Sequence, residues 1–196
     1  MRQTKENTAL VKRRILEAAT QEFARRGFAA VNLEEVAQAA GISRGPLYYH
    51  FKSKEALYIA CVEALILEEQ AVYANILDED KPVLTLLRED LDYCLSERRL
   101  TPFYSNEKDG APEIAMFCEY FSWLHQRKLH ALSAAKAHGE LREDCDIPEL
   151  LTFLYVYVWG MAIASTKGQA SFPLSERLMH HSTDYFIDVI RQKYCP

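Results

Sequence analysis

The sequence predicts an all-α protein: a three-helix head carrying a helix-turn-helix over residues 1–52, then a larger helical domain over residues 53–196. Three observations predict this. Apolar residues recur at i, i+3, i+4 and i+7 in segment after segment. Asn, Ser, Asp, Pro and Gly fall at the ends of those segments, where helix caps and stops belong. The one run that could pass for a strand, Phe153–Ala164, has no second segment to pair with. With 196 residues the chain can bury a sizeable core in one large or two small domains.

The head reads as follows. Residues 1–8 (MRQTKENT) are polar and expected to be poorly ordered in the free protein. From about Thr8 to Arg26, Ile15, Ala18, Ala19 and Phe23 mark an amphipathic helix ended by Gly27. Asn32 is placed to cap the next helix, with Glu35 three residues on to complete a capping box. Leu33, Val36, Ala37 and Ala40 give that helix a small apolar face, and Gly41 stops it. Ile42 plugs the turn and Ser43 caps a short third helix, Arg44 to about His50.

This third helix is built unlike a core helix. Only Leu47, with Phe51 one turn later, looks inward, while Gly45, Pro46, Tyr48 and Tyr49 fall on the opposite arc. His50 sits at the edge and Arg44 projects from the N-terminal end. Seven residues that include Gly and Pro do not make a stable isolated helix, so packing must hold it from behind. Its front offers phenols, an imidazole, a guanidinium and a residue without a side chain. That set suits a DNA major groove, where base edges and phosphates present acceptors. The alternative for the same spacing is a helical hairpin in an ordinary bundle with half-buried tyrosines.

Charge follows the same division. The chain carries a net −5, yet residues 1–54 hold ten Lys/Arg against five Asp/Glu, and the remainder holds 13 against 23. A basic head on an acidic body is expected where only the head meets a polyanion. Arg2, Lys5, Lys12, Arg13 and Arg14 are candidates to lie along phosphates or enter a minor groove; a solvated tail serves Arg2 and Lys5 equally well.

The stretches ILEAATQEFARRGFAAVNLEEVAQAAG and ISRGPLYYHFKSKEAL together resemble the TetR family of bacterial transcription regulators. The resemblance covers about the first third of the chain. It implies an all-helical, dimeric, ligand-responsive DNA-binding protein. Carried over onto matching positions, it implies backbone contacts from Tyr48, His50 and Lys54, and base-facing positions for Arg44, Gly45 and Pro46. The family often has a small or hydroxylated residue where Pro46 stands. Pro46 lacks a donor, so only apolar contact remains there. Arg44 can bond a guanine edge or clamp a phosphate.

Beyond the head, Ser53 caps a helix opening at Lys54 and running to about Leu77, with Cys61, Ala64, Leu65 and Val72 in its later half. Its first turn is a candidate phosphate seat through Lys54 and free amides. Pro82 opens a helix to about Arg98 with Leu86, Leu87, Leu91 and Leu95 inward. Leu100–Gly110 reads as a loop holding a short helical turn. Pro112 opens a long helix to about His138, stopped by Gly139, with Ile114, Phe117, Phe121 and Leu124 on one stripe. Asp146 caps a helix through FLYVYVWGMAIA that is apolar all round and must be covered all round. A second copy of the chain is the simplest cover for its outer side, and Gly160 permits close approach. A last helix, about Ser175 to Lys193, would supply the other half of that interface with Leu178, His181/Ser182, Tyr185, Ile187, Val189 and Ile190. The resemblance likewise implies a dimer built from the last two helices of each subunit.

A small-molecule cavity is expected in the second domain. Phe103, Tyr104, Phe117, Tyr120, Phe121, Trp123, Tyr155 and Trp159 are candidates for its wall, and Glu119 for answering a cation, which favours an aromatic or lipophilic effector. Any one of these aromatic residues reads more simply as plain core, and Glu119 reads also as a solvated surface group. The sequence shows no G-x-S-x-G, phosphate-binding loop or H-E-x-x-H, so neither enzyme chemistry nor a cofactor is expected, and histidine spacing argues against a metal. Cys61, Cys94, Cys118, Cys145 and Cys195 form no C-x-x-C pair and read as reduced packing thiols. Met1 leads into a polar, basic stretch, and Phe153–Ala164 is too short to span a bilayer, so a cytoplasmic location is expected.

The functional expectation is a regulator, a repressor released from a pseudo-palindromic DNA operator by a small effector. Two rivals stand beside it. One is an architectural or protein-partner DNA-binding module without an effector; the other is a small helical enzyme with an incidental basic head.

Overall fold

The structure, a computed structural model, describes residues 2–96, 103, 112–165 and 176–196. These residues form eight α-helices and no strand: α1 Arg2–Ala30, α2 Leu33–Ala39, α3 Arg44–His50, α4 Lys54–Ile76, α5 Val83–Leu95, α6 Pro112–Ala137, α7 Ile147–Ser165 and α8 Glu176–Tyr194. The run FLYVYVWGMAIA is helical, as its length and its proline-led start require. The chain divides into two compact units, Met1–Glu69 with Arg99–Tyr120, and Gln70–Arg98 with Phe121–Pro196.

In the first unit, α1, α2 and α3 pack together around Ile15, Ala19, Phe23, Val36, Ala37 and Leu47, all buried. Helix α1 starts at Arg2 rather than Thr8, because no Gly or Pro interrupts the chain before Gly27. Gly27 breaks the helix at φ 74°, ψ 163°, and one more turn carries the chain to Ala30. That turn sets Phe28 edge-on to Tyr58, which also meets Phe23 at 5.0 Å.

Asn32 caps α2 as expected, its Oδ1 accepting the Glu34 N–H at 2.9 Å. The capping box is not completed, because the Glu35 carboxylate is drawn to Arg26 of α1. At the other end the Gly41 N–H donates to Gln38 O (2.9 Å) and the Ile42 N–H to Ala37 O (3.0 Å). This Schellman arrangement needs the left-handed φ of 64° found at Gly41. Arg14 also donates to the Gly41 carbonyl, and a Cβ at residue 41 would lie 2.6 Å from its Nη2. Gly41 therefore serves both the turn and the approach of α1.

Ser43 stands at the N-cap of α3 in extended conformation, but its side chain makes no cap bond, contrary to expectation. Ser53 does cap α4, accepting the Ala56 N–H at 3.1 Å.

The second unit is cored by Leu86, Leu87 and Leu91 of α5, Leu132 of α6, Leu150, Leu151 and Leu154 of α7, and Ile187 and Ile190 of α8. Leu95 is only half-buried and Val72 is exposed, so the apolar faces of α4 and α5 are narrower than their periodicity implies. Gly139 ends α6 in a second Schellman turn, with Glu140 N–H on Ala135 O at 3.0 Å. The Glu140 carboxylate then accepts the Val83 N–H at 2.7 Å, capping α5 where Pro82 has no polar side chain to do so. Asp146 caps α7 through the Glu149 N–H.

One buried feature has no signature in the sequence. Lys128 of α6 places its ammonium 2.7 Å from Asp90 of α5, and both side chains are almost wholly buried. The ammonium also lies 5.6 Å from the Tyr73 ring centre and 5.5 Å from that of Tyr155. Burial is the largest single influence and opposes its charge, yet the Asp90 carboxylate, with Cys94 and Tyr155 beside it, holds its pKa above the ordinary lysine value.

Candidate nucleic-acid interface

Helix α3 is fixed from behind. Leu47 has no exposed surface and Phe51 almost none, while Arg44, Gly45, Pro46, Tyr48 and Tyr49 are open to solvent. Tyr49 is 72% exposed, a large cost for an aromatic side chain that only filled a core. His50 is half-buried at the edge, its ring edge-on to Tyr49 at 5.2 Å. A Cβ at Gly45 would meet nothing within 4 Å, so the missing side chain leaves the helix surface open to close approach.

Beside this front lies a recess of about 340 Å³, lined by Asn7, Thr8 and Val11 of α1 and by Gly45, Pro46, Tyr49 and His50 of α3. The sequence reading did not include Asn7, Thr8 or Val11. The signal was available in the helix phase, since residues 7, 8 and 11 share one face.

The cations are more constrained than the sequence suggests. Arg44 pairs with the Glu34 carboxylate of α2. Arg14 is engaged at Gly41, and Lys12 lies 6.0 Å from the Phe51 ring centre. Lys54 turns toward the end of α1: its Nζ donates to Ala29 O and Val31 O, both at 3.2 Å, and lies 4.6 Å from the Phe28 ring centre. A cation there answers the carbonyls that a helix C-terminus leaves unpaired. At the start of α4, the Glu55 backbone N–H and then the Ser53 side chain hold the Glu55 carboxyl below its ordinary range, while Ser53 Oγ takes the Ala56 N–H. Two acceptors of the chain itself thus occupy the turn read as a phosphate seat.

The residues read as a cavity wall fall in both units. In the first unit Phe103 is buried and stacked on Tyr58 at 5.5 Å, Phe117 is buried, and the buried Tyr120 hydroxyl donates to Glu69 at 3.0 Å. Glu119 is exposed. In the second unit Trp123 and Tyr155 are half-buried, the Tyr155 hydroxyl lying 3.0 Å from His125 Nδ1, while Phe121 and Trp159 are exposed. Tyr104 lies outside the described residues. None of the eight described aromatic and acidic candidates lines the recess at α3, nor a second recess of about 880 Å³ bordered by Lys136, Arg142 and Pro196.

Residues 15–61 match the sequence family of bacterial regulatory proteins, tetR family. Along most of its length the chain is similar to the Probable HTH-type transcriptional regulator ArpR of Pseudomonas putida, 38% identical over 176 residues that cover 82% of each protein. This chain belongs to the TetR family. It is a transcription regulator of that family, with the helix-turn-helix in α2 and α3. The head alone is 47% identical over 55 residues to the Uncharacterized HTH-type transcriptional regulator YerO of Bacillus subtilis (strain 168); that match covers 28% of this chain and 19% of YerO. The TetR fold extends over nearly the whole chain. A protein from Saccharomonospora viridis solved in complex with choline superposes with a TM-score of 0.72 at 21% identity, covering 94% of this chain and 97% of that one. Among the described residues no helix is long and apolar enough to cross a membrane.

Proposed function

We propose that this TetR-family regulator is a homodimeric repressor that holds a pseudo-palindromic operator through α3 and releases it when a small molecule binds. Residues 1–52 are the DNA-binding part, and residues 53–196 carry effector binding and dimerisation. The observation that carries the reading is the two-sided build of α3, with Leu47 and Phe51 sealed behind an open front of Arg44, Gly45, Pro46, Tyr48 and Tyr49. Two such fronts would enter successive major grooves about 34–36 Å apart.

Dimerisation is supported by an uncovered apolar surface. Val156 and Trp159 of α7 are 66% and 70% exposed, and Tyr185 of α8 is 70% exposed. Single exposed apolar residues are ordinary, but two of this size one turn apart on one helix call for a partner. A second copy of the same surface satisfies it by two-fold symmetry.

The effector is small and aromatic or lipophilic. The choline complex of the structurally similar Saccharomonospora viridis protein supports a small-molecule role for this fold. Phe103, Phe117 and Tyr120, all in the first unit, are the best-buried candidates for touching the effector. Release requires that the effector bind the non-operator conformation more tightly than the operator-bound one.

Selection of bound duplexes from a random pool, followed by titration of salt, tests the reading. A recovered palindrome whose affinity falls steeply with salt supports it. Recovery of no preferred sequence would favour an architectural role, and no affinity for any duplex would dismiss DNA binding.

A further inference from the structure

The ion pair between Arg44 and Glu34 decides how Arg44 is used. Arg44 stands at the N-terminal end of α3, a base-facing position by the family resemblance, and Glu34 sits in the first turn of α2. The contact runs from Arg44 Nη2 to Glu34 Oε2, and both side chains are about half open to solvent, at 64% and 47% exposed. A guanidinium carries five N–H donors on more than one edge. A carboxylate on Nη2 leaves other donors of the fork to face outward.

The two DNA partners open to Arg44 respond to this carboxylate in opposite ways. A phosphate is an anion, so a second anion on the same guanidinium repels it and competes for the same charge. A guanine edge is neutral and asks only for two aligned donors at O6 and N7. Glu34 therefore penalises the phosphate clamp and leaves base reading intact, while limiting the rotamers Arg44 samples. The Glu34 backbone N–H serves Asn32 as cap partner independently of the side chain, so the carboxylate can be changed without removing the cap.

We propose that Glu34 is a specificity-determining positioning residue that commits Arg44 to a base edge and suppresses non-specific backbone binding. This rests on the assignment of α3 as the DNA-reading helix.

The test uses the full-length protein, a duplex selected from a random pool and an unrelated duplex of equal length, each titrated across salt. Glu34→Gln should tighten binding to the unrelated duplex about two- to fivefold, the scale of an exposed ion pair. It should also steepen the salt slope for that duplex by up to about 0.9, the share of one new phosphate contact. Arg44→Ala should reduce the preference for the selected duplex about five- to hundredfold with no change in its salt slope. In the Arg44→Ala background, Glu34→Gln should have no further effect on preference or slope. The proposal is overturned if Glu34→Gln tightens binding equally with and without Arg44, which is a bulk charge effect. It is also overturned if Arg44→Ala alone flattens the slope for the selected duplex by about 0.9, since Arg44 would then be a phosphate clamp. A wild-type chain without salt-dependent affinity for any duplex sinks the underlying assignment too, and is thereby told apart from these outcomes.

Discussion

Lys128 and Asp90 meet at 2.7 Å across α6 and α5, each with less than a tenth of its side chain exposed. Such a pair adds little net stability over a well-packed apolar pair, but removing one member strands the other charge without water. Lys128→Met should therefore destabilise the protein by about 3–5 kcal/mol, while Lys128→Met with Asp90→Leu should recover most of the loss. Denaturant midpoints of the three proteins measure this; equal losses in the single and double variants would deny that the charges are coupled.

The same pair sets an alkaline limit. The ammonium pKa is raised in the fold above the ordinary 10.5, so the folded state holds its proton more tightly than the unfolded chain does. The resulting stability is complete below the unfolded value and is lost as pH rises through the raised one. The gap in thermal midpoint between the wild type and Asp90→Leu/Lys128→Met should stay constant from pH 7 to about pH 9 and change only above about pH 10. A change already present near neutral pH would place the titration elsewhere.

The back and the front of α3 should separate cleanly by mutation. Leu47→Ala removes a side chain with no exposed surface and should cost about 2–5 kcal/mol of stability. Tyr49→Ala, on a largely exposed residue, should change stability by no more than about 0.5 kcal/mol and still weaken duplex binding. Paired thermal-unfolding and binding measurements read both effects.

Lys54 is expected to act at two places. Its bonds to the Ala29 and Val31 carbonyls tie the start of α4 to the end of α1, and the third N–H of the ammonium remains for a phosphate. Lys54→Ala should weaken binding to selected and unrelated duplexes alike and flatten the salt slope by about one. It should also lower the unfolding midpoint, which a purely external phosphate contact would not do.

If α7 and α8 pair two copies, Trp159→Arg should shift the sedimenting species from dimer to monomer at micromolar concentration. A dimer that persists unchanged would move the interface to another face.

Much of this was legible in the sequence because helices write their ends and faces locally. Asn32, Gly41, Ser53, Gly139 and Asp146 act at the positions where cap chemistry puts them. The inward turn of Leu47 and Phe51 follows from helical phase alone. What stayed hidden depends on pairs distant in the chain. Lys128 and Asp90 are 38 residues apart, and Glu140 and Val83 are 57 apart; each charged residue reads singly as a solvated surface group. The wall of an effector cavity is not legible for a related reason. Aromatic density along α6 and α7 does not say which residues converge, and Trp159 points to solvent while Tyr120 is buried against Glu69.

The most direct measurement is the salt dependence of full-length protein binding to a palindromic duplex drawn from a random pool, compared between the wild type and Arg44→Ala. The account predicts tight wild-type binding that falls steeply with salt, and a variant whose preference for the selected duplex over an unrelated one is reduced about five- to hundredfold. Equal preference in the two proteins would contradict the claim that the open front of α3 reads DNA.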